Sequence, residues 1–319
     1  HPHQPVSLLR VLPYAKLNNV SVSLGSKVKK FYKKDNLITG FDLELDENII
    51  NNCDIVFIQR SFIQKSSMNV IDKVIKLNKK IIYDTDDLLV KISTVNKSPF
   101  SNLHSNSKSF LIDFMPYINA FTTTNDFLSN KLKKIFNKKD ILVAPNFILD
   151  EFFPKKINTN KKRNFFKIII AGNQKIHDVA LILDSLKKIL HSNNNILIFF
   201  VGFQKIPDLF KQQRVVFIEP SSYSDYLYNI NKIEPDLALI PLQNNEFNNC
   251  KSNIKFLEYS YLNIPGIYSK IKPYSESIES NFNGILCEER DEWISNIINL
   301  FNDNKSRVNI ANRAKKNVI

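Results

Sequence analysis

Three carboxylates lie close together after a short apolar run. Residues 80–90 read KIIYDTDDLLV, which places Asp84, Asp86 and Asp87 at the predicted end of a strand. An Asp-x-Asp pair at a strand end can hold a divalent metal against the diphosphate of a nucleotide sugar, because hard cations prefer carboxylate oxygens. The same carboxylates can instead bind substrate hydroxyls, or only cap the segment that follows the strand. The motif alone leaves all three interpretations open.

A second group of reactive side chains falls on a predicted helix within FNNCKSNIKFLEYSYLNIPGIYS, residues 247–269. Lys251, Lys255 and Glu258 are spaced i, i+4 and i+7, so they share one helix face. Ser252 is predicted to be the N-cap, and the free N–H groups of a helix start attract phosphate. A phosphate site with a carboxylate two turns further on fits a nucleotide diphosphate and its ribose. The alternative is a surface ion pair between Lys255 and Glu258 without a ligand.

The elements that must position these residues alternate between short apolar strands and amphipathic helices. In the first half, strands are predicted at 20–24, 54–60, 80–85, 119–124 and 140–145, and helices at 66–80 and 126–136. In the second half, strands are predicted at 166–172, 195–202, 215–220, 236–242, 265–269 and 283–287, and helices at 177–191, 223–230, 252–262 and 291–318. Such alternation predicts parallel sheets covered by helices.

The pattern therefore predicts an α/β protein with two Rossmann-like, doubly wound domains that face each other across a cleft. The N-terminal domain is predicted at 1–150, a polar and basic linker at 151–165, and the C-terminal domain at 166–319. Open α/β sheets bind their ligands in clefts of this kind.

Composition narrows the possible partners. Lysine and arginine outnumber aspartate and glutamate by 44 to 31, which favours an anionic substrate or an anionic membrane surface. The basic residues are scattered without a nucleic-acid-binding signature, so we expect no nucleic-acid partner. The 6 glycines form neither a dinucleotide fingerprint nor a P-loop. The 3 cysteines fit no disulfide framework, and no apolar run is long enough to span a membrane, so we expect a cytoplasmic protein.

The helix at 252–262 also carries a family resemblance. Together with DLALIPL before it and PYSESIESNFNGILCEERDEWISNIINL after it, it resembles the C-terminal half of GT-B glycosyltransferases, in particular the retaining enzymes of glycosyltransferase family 4 of bacterial surface-polysaccharide synthesis. DIVFIQR, KIIYDTDDLL, YINAFTTTNDFLSNKL and VAPNFILDEFF follow the order of similar phrases in those enzymes, so the resemblance covers nearly the whole chain.

The resemblance implies an enzyme that moves a sugar from a nucleotide-sugar donor to a glycan or lipid-linked acceptor with retention of configuration. The nucleotide sugar would be a substrate, and no separate cofactor is expected. Peripheral association with the inner face of the membrane would fit a lipid-linked acceptor. The start of the diphosphate-binding helix corresponds to Lys251, Ser252 and Asn253. Glu258 corresponds to the second glutamate of the E-x7-E motif, which binds the donor ribose, whereas Cys250 stands where the first glutamate is expected.

Further donor contacts are implied after the first strand of the C-terminal domain. Lys175 and His177, in the loop after Gly172, are the nearest counterparts of the Arg and Lys pair of many relatives. His177 is equally well explained as a residue at a helix start. The backbone at 218–220, which ends at Pro220, is expected to meet the base.

In this arrangement Asp84, Asp86 and Asp87 belong to the N-terminal domain, which faces the acceptor. We therefore expect acceptor-side carboxylates there rather than a metal site, since lysines and a helix start already serve the diphosphate. Arg10 and Arg60 are predicted to be their counter-charges or ligands of an anionic acceptor.

Catalysis is assigned to Lys251, which would stabilise the leaving phosphate, and to Asp86 and Asp87 on the acceptor side. One rival hypothesis is a metal-dependent GT-A-type transferase that uses Asp84 and Asp86. A second is a module that binds nucleotide sugars or glycans without catalysis, which the cysteine at position 250 makes conceivable.

Overall fold

The computed structural model describes residues 7–34, 37–60, 67–89, 107–138, 140–155, 164–172, 176–203 and 214–319. Contacts between Cα atoms divide the chain into two compact units. The first contains Arg10–Asn146 and Asn249–Ser252, and the second contains Phe147–Asn248, Asn253–Ile319 and the stretch that ends at Leu9. The domain boundaries at 150 and 166 stay a prediction, and residues 156–163 of the predicted linker lie outside the described part of the chain.

The first unit has six described strands and five described helices. The strands are β1 (Ser26–Lys34), β2 (Leu37–Leu45), β3 (Ile55–Gln59), β4 (Lys80–Thr85), β5 (Ala120–Thr123) and β6 (Ile141–Val143). The helices are α1 (Leu12–Leu17), α2 (Glu47–Asn52), α3 (Met68–Lys76), α4 (Ser107–Phe114) and α5 (Asp126–Phe136), and a π-helical turn at Ser7–Val11 precedes α1. Strands β3 to β6 form a parallel sheet in that order. Its register places Asp84, at the carboxyl end of β4, beside Gln59 and Thr122.

Strands β1 and β2 form a separate antiparallel hairpin that the sequence pattern did not predict. The strand predicted at 20–24 is wrong, because these residues belong to neither a helix nor a strand. Val20, Val22 and Leu24 alternate with serines as in a strand, yet they are 57%, 48% and 55% exposed. Alternation specifies a strand only where another layer covers the apolar side. The paired residues lie in the lysine-rich run that follows.

The second unit has one parallel sheet of six strands, flanked by helices. The strands are β7 (Phe166–Ala171), β8 (Ile196–Val201), β9 (Val215–Ile218), β10 (Leu237–Ile240), β11 (Gly266–Ser269) and β12 (Ile285–Cys287). The helices are α6 (Ile176–Val179), α7 (Leu183–Ser192), α8 (Tyr223–Ile233), α9 (Glu246–Asn249), α10 (Ile254–Tyr261), α11 (Lys272–Ser275), α12 (Arg290–Asn302) and α13 (Asn304–Val318). The strand order is β12-β11-β10-β7-β8-β9. The strands are nearly continuous apolar runs, as expected where a sheet is covered on both faces.

All four helices predicted in the second half differ from their predicted bounds, and the one predicted at 223–230 extends to Ile233. The helix predicted at 177–191 is split into α6 and α7, and the one at 291–318 is split at Asp303. The Asp303 side chain accepts a hydrogen bond of 2.9 Å from the N–H of Ser306, which caps α13 and separates it from α12. Helix α10 begins at Ile254 rather than near Ser252. None of the described helices is long and apolar enough to cross a membrane.

Candidate functional site

Asp84 lies in the interior of the first unit and is fully paired. Its carboxylate accepts hydrogen bonds from Arg10 at both oxygens, one of them at 2.9 Å from Nε, and from the Thr122 hydroxyl at 2.7 Å. The Arg10 side chain is 3% exposed and that of Asp84 is 0% exposed. A two-point contact of this kind matches the fork of a guanidinium to a carboxylate. Arg10 is thus the counter-charge of Asp84, one of the two roles predicted for it, and both side chains lie inside the fold rather than on a surface open to an acceptor.

The other terminal nitrogen of Arg10 connects this ion pair to the residues that follow strand β6. Arg10 Nη1 donates to the carbonyl of Ala144 and, over 3.3 Å, to the side-chain oxygen of Asn146. The amide nitrogen of Asn146 donates to the Ser252 hydroxyl over 2.8 Å. Ser252 is therefore held by a side chain that the buried ion pair orients. It is not the N-cap of α10, because that position is occupied by Asn253.

Asp86 and Asp87 form a different cluster with Arg60. Arg60 Nη2 lies 2.6 Å from Asp87 Oδ2, and Arg60 Nε lies 3.1 Å from Asp86 Oδ1. Arg60 has a φ of 52°, in the left-handed region that residues with a Cβ rarely adopt. Burial raises the pKa of Asp86 to about 6, although the charge of Arg60 opposes that shift. The cluster thus joins an arginine, a buried carboxyl group whose pKa is raised and a partly exposed Asp87.

The segment 249–252 is attached to the first unit through Asn125. The side-chain amide of Asn125 donates to the carbonyls of Cys250 and Lys251, at 3.2 and 3.1 Å. Its side-chain oxygen accepts from the N–H of Leu128, so the same residue also caps α5. Cys250 is 0% exposed, so the position predicted for a motif glutamate holds a buried thiol. Lys251 is half-buried.

Glu258, in the second unit, is the centre of a buried polar cluster. It is 1% exposed, and its carboxylate accepts from the Tyr223 hydroxyl at 2.8 Å, from the Tyr226 hydroxyl at 3.0 Å and from Lys255 Nζ at 2.8 Å. Lys255 Nζ also lies 4.3 Å from the centre of the Tyr226 ring. Burial, reinforced by the charge of Glu258, raises the pKa of both tyrosines, which keeps them protonated as donors.

The spacing of Lys255 and Glu258 correctly predicts that they meet, but the pair is not on the surface. Lys255 is 25% exposed and Glu258 is 1% exposed. Helix α10 starts without a side-chain cap, since the amide of Asn253 donates to the Ser277 hydroxyl over 2.8 Å instead. The start of α10 therefore has no side-chain cap, and an uncapped helix start attracts negatively charged groups, whereas the ammonium of Lys255 is already paired with Glu258.

The remaining predicted donor residues lie after strands of the second sheet. Gly172 follows β7 and donates from its N–H to the carbonyl of Val201 over 3.0 Å. Pro220 follows β9 and is exposed. His177 is exposed on α6, and its carbonyl accepts a hydrogen bond from Gln243. Lys175 lies outside the described residues.

The side chains that hold these groups in place were not predicted from the sequence. Tyr223 and Tyr226 bind Glu258, and Asn125 and Asn146 hold the segment before α10. Asp178, beside His177, is 4% exposed and accepts from the N–H of Gln243. The only signal for Tyr223 and Tyr226 was their i, i+3 spacing, which places both side chains on one face of a helix.

No group of three or more histidine, cysteine, aspartate or glutamate side chains that could hold a metal occurs among the residues that the structure describes. Asp84, half of the Asp-x-Asp pair, directs both carboxylate oxygens to Arg10. Asp84 is therefore already paired with Arg10 and Asp86 with Arg60, so both carboxylates of the hypothesised metal site contact arginines of the protein itself.

Comparisons with solved structures show the fold. TarM is similar with a TM-score of 0.63 at 13% identity, over 92% of this chain and 60% of TarM. HepE from Anabaena, in complex with UDP and glucose, is similar with a TM-score of 0.60 at 14% identity, over 84% of this chain and 74% of HepE. Sucrose-phosphate synthase from Thermosynechococcus elongatus is similar with a TM-score of 0.58 at 9% identity, over 83% and 68%. The predicted GT-B class is confirmed.

Comparison with sequence families shows which group the chain belongs to. A search of curated proteins found no match. The family model described as glycosyl transferases group 1 matches residues 149–317, more than half of the 319 residues. The match includes Glu258, Lys255 and the start of α10. The chain spans 60% of the length of TarM. It belongs to the glycosyl transferases group 1 family.

Proposed function

We propose that this protein transfers a sugar from a nucleotide-sugar donor to a glycan or lipid-linked acceptor, with retention of configuration and without a metal ion. The observation that carries the proposal is the Glu258 cluster on α10, which lies within the family match. The uncapped start of α10 and Lys255 suit the donor diphosphate, and Glu258 suits two ribose hydroxyls. The role in bacterial surface-polysaccharide synthesis is part of the proposal.

A uridine nucleotide is the first donor to test. HepE was crystallised with UDP and glucose, and a S. aureus TarM mutant with UDP and α-GlcNAc-glycerol. Both are similar to this chain in fold. A UDP-sugar is therefore the first donor to test, and a glycan is the first acceptor. Neither identity follows from the fold itself.

Without a covalent intermediate on the protein, retention requires that the acceptor attack the face from which the diphosphate leaves. In the proposed mechanism the leaving phosphate takes the acceptor proton, and the C1–O bond to phosphate breaks as the bond to the acceptor oxygen forms. Lys251 and the start of α10 stabilise the charge that develops on the phosphate. Asp86 and Asp87, with Arg60, orient the acceptor. Location at the inner face of a membrane is also part of the proposal, because it would bring the protein to a lipid-linked acceptor.

A thermal-shift panel of nucleotide sugars tests the donor assignment, because a bound ligand raises stability by mass action. We expect a rise in Tm with at least one nucleotide sugar, and turnover in a nucleotide-release assay when a glycan acceptor is added. Glu258→Gln should lose the Tm rise. Glu47→Gln, which removes a charge from an exposed Lys–Glu pair, is the matched control and should keep it.

The same assays separate the rivals. Turnover that EDTA abolishes and Mg²⁺ or Mn²⁺ restores would support the metal-dependent hypothesis. Donor binding without turnover for any acceptor would support the non-catalytic module, for which the buried Cys250 in place of a motif glutamate is the specific observation. No Tm rise with any nucleotide sugar would refute the donor site.

A further inference from the structure

A polar groove of about 700 Å³ lies in the second unit, beside the outer strand of its sheet. Strand β12 is the last strand of that sheet, α12 packs against β12, and α13 packs against α12. The groove is lined by β12, by the turn before it and by these two helices. Its volume falls within the roughly 300–1,000 Å³ of ordinary small-ligand pockets. No residue proposed to bind the donor or to orient the acceptor lines it.

Five asparagines line this groove, and we call it the asparagine groove. They are Asn281, Asn296, Asn299, Asn302 and Asn309. Helical spacing explains why polar side chains meet there. On α12, Asn296 and Asn299 are spaced i, i+3. On α13, Ser306, Asn309 and Arg313 are spaced i, i+3 and i+7, and side chains at such spacings share one helix face.

Four of the five amides have no hydrogen-bond partner among the residues that the structure describes. They belong to Asn281, Asn299, Asn302 and Asn309. Each amide offers two N–H donors and one carbonyl acceptor. Neighbouring hydroxyls of a sugar ring need both kinds of partner, because every hydroxyl can donate and accept. The amides therefore match a carbohydrate.

Apolar groups also line the asparagine groove. Ile285, Leu300 and Ile310 contribute to its wall, and all three side chains are buried. A sugar ring carries C–H groups on its faces as well as hydroxyls along its edge. Such a ring can therefore contact the apolar side chains and the amides at the same time.

An exposed aromatic ring stands next to the groove. Phe282 is 40% exposed and follows Asn281 in the turn before β12. The N–H of Asn281 donates to the carbonyl of Gly284 over 2.8 Å, and the N–H of Phe282 donates to the carbonyl of Glu279 over 3.0 Å, which fixes the turn. The guanidinium carbon of Arg313 lies 4.6 Å from the centre of the Phe282 ring. The exposed part of the ring offers an apolar surface on which a sugar face can stack.

The charge of the groove selects the class of ligand. Among its lining residues, Arg313 is the only cation and Asp303 is the only anion, so their formal charges cancel. The Asp303 carboxylate is engaged by Ser306, from which it accepts hydrogen bonds of 2.9 Å from the N–H and 2.6 Å from the hydroxyl. A nucleotide or an acidic polymer would gain no net attraction here. A neutral sugar needs none.

We propose that the asparagine groove is a binding site for a neutral oligosaccharide. The free amides bind the hydroxyls, the apolar side chains contact the C–H faces, and Phe282 stacks on a neighbouring sugar unit. The site would hold a glycan on the second unit, apart from the acids after β4 in the first unit. The inference is independent of the proposed donor and acceptor sites, since it uses no residue of either.

Saturation-transfer NMR of the full chain with neutral trisaccharides tests the proposal. The probes are maltotriose, cellotriose and triacetylchitotriose, which differ in linkage and in the substituent at C2. We expect saturation transfer to at least one of them, and calorimetric titration then gives its Kd. Trigalacturonic acid is the anionic counterpart of similar size. It should bind more weakly than the best neutral trisaccharide, because the groove supplies no net positive charge.

Two groove variants should each weaken trisaccharide binding about ten-fold or more. Asn299→Ala/Asn309→Ala removes amides that bind hydroxyls, and Phe282→Ala removes the stacking ring. Phe282→Tyr keeps the ring and should bind as the wild type does. Asn299, Asn309 and Phe282 are exposed, so the Tm of each variant without ligand should stay close to that of the wild type.

Matched controls change residues of the same types outside the groove. Asn312→Ala/Asn317→Ala alters two exposed asparagines of α13 that do not line the groove. Phe165→Ala alters a phenylalanine that is 41% exposed, against 40% for Phe282. Both controls should keep the wild-type Kd for the trisaccharide. Asp87→Asn should keep it too, because Asp87 lies in the first unit.

Three results would overturn the proposal. They are a lack of binding to every neutral trisaccharide, groove variants that bind like the wild type, and tighter binding of trigalacturonic acid than of any neutral probe. Binding that Asp87→Asn abolishes and the groove variants retain would belong to the acceptor side and would overturn it as well. The Tm rise with nucleotide sugar should be the same in all groove variants, so loss of the donor site and loss of glycan binding are recognised separately.

Discussion

The Tyr223 hydroxyl donates a hydrogen bond of 2.8 Å to Glu258 Oε1 inside the second unit. Together with Tyr226 and Lys255 it occupies three acceptor positions of a carboxylate that offers about four. A ribose with two neighbouring hydroxyls needs two of these positions. The residue proposed to bind the donor is therefore also a structural centre, and its two roles compete for the same oxygens.

Glu258→Ala should lower both stability and donor affinity. The substitution leaves the ammonium of Lys255 and the two phenols without their acceptor, which should cost about 2–4 kcal/mol of the free energy of unfolding. The cost is checked by urea denaturation, with Glu47→Ala as the control for loss of an exposed Lys–Glu pair. Full wild-type stability in Glu258→Ala would show that the cluster contributes nothing to the fold.

Tyr223→Phe should tighten donor binding while it weakens the fold. Removal of the hydroxyl frees one acceptor position on Glu258 for the ribose and keeps the ring. The lost hydrogen bond to a charged group should cost about 1.5–3 kcal/mol of stability. Calorimetric titration with the nucleotide sugar found in the panel should give a Kd a few-fold lower than that of the wild type. A weaker donor in this variant would mean that the phenol itself contacts the ligand.

Local spacing explains how much of this cluster the sequence could predict. The i, i+3 relation of Lys255 and Glu258 is a property of the helix and was predicted, as was helix α5 at 126–136. Burial of Glu258 was not, because it depends on tyrosines 35 and 32 residues away in the chain. The contact between Arg10 and Asp84 spans 74 residues and has no local signal at all.

Breaking the ion pair between Arg10 and Asp84 should destabilise the protein more than removing both charges. Asp84→Leu or Arg10→Met alone leaves a buried charge unpaired, which should cost about 3–5 kcal/mol. The double variant should recover part of that loss, and a double-mutant cycle of urea denaturation measures the coupling. If the single losses simply add, the two side chains are not coupled and the acceptor role first predicted for Asp84 regains support.

Asp86→Asn should change how stability depends on pH. Burial raises the pKa of Asp86 to about 6 in the folded protein, above its ordinary 3.8. Between these values the folded state binds more protons than the unfolded state, so the contribution of Asp86 to stability falls as the pH rises through about 4 to 6. The asparagine does not titrate. The variant should therefore gain up to about 2–3 kcal/mol over the wild type near pH 7.5, and the gain should shrink towards pH 4.

Thermal melts of both proteins across that range measure the difference directly. Other acids, such as Glu292 with its lowered pKa, contribute equally to both proteins and cancel. A difference in stability that stays constant with pH would show that Asp86 does not titrate in this window.

Asp87→Asn should lower transfer to the acceptor without weakening the donor. Asp87 is 21% exposed and shares Arg60 with Asp86, so it is the most accessible carboxylate after β4. The amide keeps the size of the side chain but loses a charge-assisted hydrogen bond to an acceptor hydroxyl, worth about 1.5–3 kcal/mol. The expected result is a fall of about ten- to a hundred-fold in kcat/KM for the acceptor. The donor Kd from calorimetry should be unchanged, because the residues proposed to bind the donor lie at 172–177, 218–220 and 251–258. Glu47→Gln, in the same unit and also paired with a cation, is the control and should leave both constants unchanged.

Loss of donor affinity in Asp87→Asn would assign the acids at the end of β4 to the diphosphate. If neither constant changes in Asp87→Asn, these acids have only the structural task of holding Arg60 in its left-handed conformation.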